Sequence, residues 1–166
     1  MFNRYILFIT LIFLNCKSSK ESVPTFNSFP ENIKGTIIND FSEILSENEK
    51  ANLTTKLYNY EVATTRQMIF VSIDKITPYT DIQKYATDLA NHWGVGHKKK
   101  NNGLLLVLSV PSRKLGIATG LNTEKILTDS VCQQVIDMTI IPHFKEGNYY
   151  NGISKGLDSL IYKWDN

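Results

Sequence analysis

Two short apolar runs limit how this chain can fold. Met68 to Ile73 and Leu104 to Leu108 are continuous stretches rich in β-forming residues. Neither shows the alternation of a sheet with one wet face, so both read as strands covered on both faces. Between them Ile82, Tyr85, Ala86, Leu89, Ala90 and Trp93 recur at helical spacing, with Thr80 at the expected N-cap and Gly94 at the expected stop. A strand, a helix and a second strand joined by a right-handed crossover lie parallel.

The flanking elements extend this pattern. Thr36-Ile37-Ile38 is a short strand ending at Asn39-Asp40, and Ser46 with Glu49 forms a capping box opening a helix that runs to about Ala63, with Leu53, Leu57 and Tyr60 on one face. Pro111-Ser112 marks a turn, after which Lys114 to Thr119 returns as the antiparallel partner of the Leu104 run. Two helices follow, one over Ser130 to Ile140 before Pro142 and one over Tyr149 to Tyr162 capped by Asn148. No internal repeat is visible. The expected fold class is α/β, a mixed sheet of about four strands with helices on both faces.

The N-terminus has a different character. Arg4 precedes an almost wholly apolar run from Tyr5 to Leu14, followed by Asn15 and Cys16, the pattern of a secretory signal. As a helix the run rises only about 15 Å, half a bilayer crossing, so it targets rather than spans. A cysteine directly after such a run resembles the bacterial lipobox, although Phe13, Leu14 and Asn15 replace the aliphatic and small residues usual there. The expectation is a signal peptide over residues 1–15, a lipidated Cys16 opening a polar, proline-bearing tether to residue 33, and one domain over 34–164. The alternative is a plain secretory signal with an incidental cysteine. The expected location is the bacterial cell envelope, membrane-anchored and facing the periplasm or exterior.

Composition excludes some functions. A net charge of +2 spread over dispersed lysines argues against a nucleic-acid groove. Cys132 is the only cysteine besides Cys16, so lipidation at Cys16 leaves no disulfide. Cys132 reads as a small buried hydrophobe, since the residue six positions on is Met138 rather than the arginine of a cysteine phosphatase.

Several segments in shared order carry a family resemblance: Ile38-Asn39-Asp40 before Leu45-Ser46, His92-Trp93-Gly94-Val95-Gly96, Asn101-Asn102-Gly103-Leu104-Leu105-Leu106, Thr119-Gly120 through Leu127-Thr128-Asp129, Ile141-Pro142-His143-Phe144, and Gly147-Asn148-Tyr149-Tyr150. Over about 130 residues the chain resembles the TPM domain. The resemblance implies a three-layer α/β/α sandwich, export from the cytoplasm, calcium binding as in several members, phosphatase activity as in plant members, and roles in maintaining membrane complexes. Two positions depart from the family pattern. Asn101 stands where an aspartate is common, and Asn122 replaces a second glycine, a change that asparagine's tolerance of positive φ would absorb.

A hard cation takes several oxygen ligands, and in the matching segments Asp40, Asn102, Glu124 and Asp129 supply them. The third and fourth strands bring Asn102, Glu124 and Asp129 to one sheet end, and Asp40 joins them only if the first strand runs antiparallel to the second. The acids otherwise serve as a helix cap and a turn. Calcium is the expected ion, weakly held, with magnesium as the second candidate.

Lys98, Lys99 and Lys100 beside Gly94, Gly96 and Gly103 form a loop that precedes a strand rather than a helix, so it reads as a solvated surface loop and not a phosphate cradle. His92, His97 and His143 have neither metal-ligand nor triad spacing. Two functions remain: a monomeric, membrane-tethered calcium-binding assembly or maintenance module engaging envelope protein complexes, or a divalent-metal-dependent acid phosphatase, for which no catalytic residue is assigned.

Overall fold

The computed structural model describes residues 29–32 and 35–166; the signal pattern, Cys16 and most of the expected tether lie outside the described residues. The end of that tether packs. The Phe29 ring lies 5.4 Å from that of Tyr85 and 5.3 Å from that of His92, and the Trp93 indole N–H donates to the Pro30 carbonyl at 3.0 Å.

Four strands, β1 (Ile38–Asp40), β2 (Gln67–Ile73), β3 (Gly103–Ser109) and β4 (Lys114–Thr119), lie side by side in that order. β1 and β2 are parallel, β2 and β3 are parallel, and β4 returns antiparallel to β3. Because side chains alternate across a strand, β2 and β3 divide between two cores. Met68, Phe70, Leu104, Leu106 and Leu108 face the core shared with α1 (Glu47–Thr64), α3 (Asp129–Val135) and α5 (Tyr149–Asp165). Ile69, Val71, Ile73, Leu105 and Val107 face the core under α2 (Ile82–Trp93). Both faces are covered, giving the expected three-layer sandwich, and each fully buried leucine contributes about 1.5–3 kcal/mol.

The helix starts follow local chemistry. Ser46 and Glu49 form the reciprocal capping box on α1. Asp81, not Thr80, caps α2, accepting the Lys84 N–H at 2.9 Å. Thr128 caps α3, which opens at Asp129, one residue before the expected Ser130, so that Asp129 is the first helical residue and not the cap; Asn148 caps α5 as expected. The largest departure is at Pro142, where the helix was expected to stop. Instead α3 widens into a π turn over Ile136–Ile140 and continues as α4 (Ile141–Lys145). In an α-helix the proline ring would clash with the carbonyl four residues back. The wider turn, in which the Ile141 N–H reaches the Ile136 carbonyl, carries the chain past it.

β4 is an edge strand, and edges invite unwanted pairing. Gln83 blocks the middle of this one: its side-chain amide donates to the Ile117 carbonyl at 2.7 Å and accepts the Ile117 N–H at 3.1 Å. The approach is close because Gly116 has no Cβ, which would lie 2.8 Å from the Ile82 carbonyl oxygen. Ile117 is only 2% exposed, so losing Gln83 leaves a buried N–H and C=O unpaired. Gln83→Ala should therefore cost about 1–3 kcal/mol in thermal unfolding and speed amide exchange at Ile117 before the rest of β4. Unchanged exchange at Ile117 would show that the clasp is not formed.

Candidate functional site

The segments expected to carry the site meet where three backbones touch. A Cβ on Gly96 would lie 2.4 Å from the Gly103 nitrogen, one on Gly103 would lie 2.3 Å from the Val95 oxygen, and one on Gly120 would lie 2.5 Å from the Asn101 oxygen. Only glycine fits such contacts. Hydrogen bonds then join the loop before β3 to the loop after β4: Gly120 N–H to the Gly103 carbonyl at 2.9 Å, Asn122 N–H to the Asn101 carbonyl at 3.1 Å, and the Asn122 side-chain amide to the Lys100 carbonyl at 2.7 Å. The expected positive φ falls on Asn101, at 46°, and not on Asn122, which uses its side chain to bridge the loops.

The four candidate ligands do not form one cation site. β1 is parallel to β2, with Asp40 paired to Ser72 and Ser72 to Leu108. Asp40 therefore lies at the sheet end opposite Asn102. There its carboxylate accepts the N–H groups of Ile44 at 3.2 Å and Leu45 at 2.9 Å, and the Ser72 hydroxyl. It holds the turn that leads into α1. Asn102 is at the expected end but is 8% exposed and committed. Its amide oxygen accepts the His97 N–H at 3.0 Å, and its amide nitrogen donates to the Thr65 carbonyl at 2.7 Å.

That second bond explains Asn102. Thr65 ends α1 with φ 63°, a left-handed conformation that a β-branched residue adopts only under constraint. Asn102 on its carbonyl and the Lys100 ammonium on its hydroxyl at 2.8 Å supply the constraint. All three lysines of the loop are exposed, and Lys100 is the one tied to the scaffold, through Thr65. The three histidines stay apart in role: His92 packs beside Phe29, His97 accepts the Lys99 N–H, and His143 lies 3.9 Å from Glu146.

Glu124 and Asp129 remain as exposed carboxylates. They are the two of the four that fit a cation ligand's requirement of uncommitted oxygen. Among the described residues, no three of His, Cys, Asp and Glu come together as a metal cluster. Asp129 is the first residue of α3 and lines a groove of about 560 Å³ along the outer edge of β4. Asp81 and Gln83 from the start of α2, Lys114 and Ile117 from β4, and Gln133 from α3 form its other walls. The volume falls within the range of about 300–1,000 Å³ typical of ligand pockets. Sequence reasoning missed Asp81, Gln83 and Lys114, whose convergence on Asp129 arises only when α2 crosses β4.

Cys132 also borders the groove but is 4% exposed, and burial, with the Asp129 carboxylate adding to it, pushes its thiol up to about 12. Its Sγ faces the Leu127 carbonyl at 3.6 Å. No helix among the described residues is long and apolar enough to cross a membrane.

This architecture recurs in solved structures. The N-terminal domain of a protein from P. gingivalis is 30% identical, with a TM-score of 0.71, covering 78% of this chain and 82% of that one. The BA42 protein from the psychrophilic bacterium Bizionia argentinensis is 19% identical, with a TM-score of 0.63 over 75% of this chain and 83% of that one. The N-terminal domain of the cg2496 protein from Corynebacterium glutamicum is 14% identical, with a TM-score of 0.61 over 81% and 83% respectively. No curated protein matches the chain. The family model of the TPM domain matches residues 38–163, and the chain belongs to the TPM domain family.

Proposed function

We propose that this chain is an exported, membrane-tethered binding module that engages an envelope protein through the groove along the outer edge of β4. The observation that carries the reading is the groove itself: it is the place where charged groups from three separate elements, Asp81, Lys114 and Asp129, converge beside apolar Leu115 and Ile117. Such a surface suits a short segment of a partner protein, with charges to orient it and apolar side chains to hold it. The tether follows from the signal-like run before Cys16.

Calcium enters this reading only at Glu124 and Asp129. Each of these carboxylates, completed by water and backbone carbonyls, makes a weak site, in the range of about 0.1–1 mM. When bound, the ion would supply charge at the loop after β4 and stiffen it next to the groove.

The phosphatase alternative would act through a metal-activated water rather than a protein nucleophile, and the thiol beside the groove adds none. Cys132 is the one buried thiol near the groove, and a thiol raised to about 12 stays protonated at neutral pH. Two outcomes check the proposal. The purified chain should give no p-nitrophenyl phosphate turnover that follows it through purification; turnover abolished by Asp129→Asn would establish the enzyme instead. Cys16→Ser should move the chain from the membrane to the soluble envelope fraction, and a wild-type chain already soluble there would remove the tether.

A separate prediction concerns pH and the buried thiol of Cys132. Because the folded-state pKa of Cys132 is raised, from 9.0 to about 12, folding favours the protonated thiol. The stability this represents is fully present below about pH 9 and is lost as pH rises toward 12, at up to about 1.4 kcal/mol per pH unit. Cys132→Ala should flatten the fall of melting temperature across that window. An equal fall in wild type and variant would show that other groups govern the alkaline limb.

A further inference from the structure

The larger core does not close at the hairpin end of the sheet. Val110, Leu115, Ile141, Phe144 and Tyr149 pack against it while staying partly exposed. All five line a second pocket, of about 400 Å³, between the β3–β4 hairpin and the turn from α4 to α5. Its walls are preformed. The Phe144 ring occupies the space where a Cβ on Gly152 would lie, at 2.5 Å, and the Phe144 and Tyr149 rings stand 4.9 Å apart and tilted. The volume matches a small-molecule site, and partly exposed aromatic walls leave apolar surface in water that an apolar ligand would cover.

The polar side chains at this pocket are cationic. Arg113 and Lys145 line it, and no acidic residue does. Among the described residues neither takes part in an ion pair. The nearest acid in sequence, Glu146, turns toward His143 at 3.9 Å. Arg113 also occupies the hairpin turn with φ 53°, a conformation in which glycine or asparagine is less strained. The pocket thus joins an apolar interior to two unpaired positive charges, the complement of a molecule with an alkyl body and an anionic head.

We propose that this pocket binds a single-chain alkyl carboxylate, its chain against Leu115, Phe144 and Tyr149 and its head at Arg113 and Lys145. A guanidinium matches a carboxylate in a two-pronged geometry, and the ammonium adds a second charge-assisted contact. The site is separate from the groove along β4's outer edge: Leu115 alone lines both, while Asp81, Gln83 and Asp129 line only the groove.

Octanoate and 1-octanol titrated into the ¹⁵N-labelled full chain test the assignment. Octanoate should shift the amides of Val110, Leu115 and Tyr149, and octanol should shift the same amides at higher concentration. The double variant Arg113→Gln/Lys145→Gln should weaken octanoate about tenfold, equivalent to about 1.4 kcal/mol, and leave octanol binding unchanged. Phosphatidylglycerol vesicles should leave these amides unmoved. The proposal is overturned if octanoate moves none of them, if the double variant binds octanoate as wild type does or loses octanol equally, or if vesicles and not octanoate produce the shifts.

Discussion

The directions of the four strands govern everything else in this molecule. β1, β2 and β3 run parallel and β4 runs back, so the starts of the first three strands and the end of the fourth share one end of the sheet. Right-handed crossovers leave little freedom in that arrangement. It puts the glycine junction, Asn102 and Glu124 at one end, and Asp40, Ser72 and the β3–β4 hairpin at the other. The acids that look alike in sequence are thereby given different work. Asp40 receives two backbone N–H groups and a serine hydroxyl and serves the fold, while Glu124 and Asp129 are left exposed.

The same arrangement explains why the site end is built from backbone. Three chain segments cross where Gly96, Gly103 and Gly120 leave no room for a side chain. Asn102 reaches from this junction to hold Thr65 in its left-handed conformation, so the end of α1 and the start of β3 are tied together. A junction so occupied with its own hydrogen bonds has few groups left for chemistry. The groove along the outer edge of β4 and the pocket under the hairpin both lie away from it, toward the strand ends that Lys114 and Val110 mark.

Much of this was legible in the residues. The runs from Met68 and Leu104 are buried strands because both faces are covered, and Leu53, Leu57 and Tyr60 share a buried face as their spacing requires. Local rules failed where two of them competed. Thr80 and Asp81 are both good caps, and the second one took the position; Pro142 usually ends a helix, yet a π turn carried the chain through it. The direction of β1 was left open because the strand has only three residues, although the strand–helix–strand rule that makes β2 and β3 parallel applies to β1 and β2 equally. The clasp of Gln83 was not legible, since its partner Ile117 lies 34 positions away. Such contacts are written in the tertiary fold, not in spacing.

Parallel pairing of β1 with β2 sets Asp40 at the sheet end opposite Asn102 and Glu124. Calcium titrated into the ¹⁵N-labelled full chain tests it most directly. Amides from Glu124 to Asp129 should move at about 0.1–1 mM calcium, while those of Asp40, Ile44 and Leu45 stay in place. A single binding curve shared by Asp40 and Glu124 would place both acids on one ion and contradict the parallel pairing of β1 with β2.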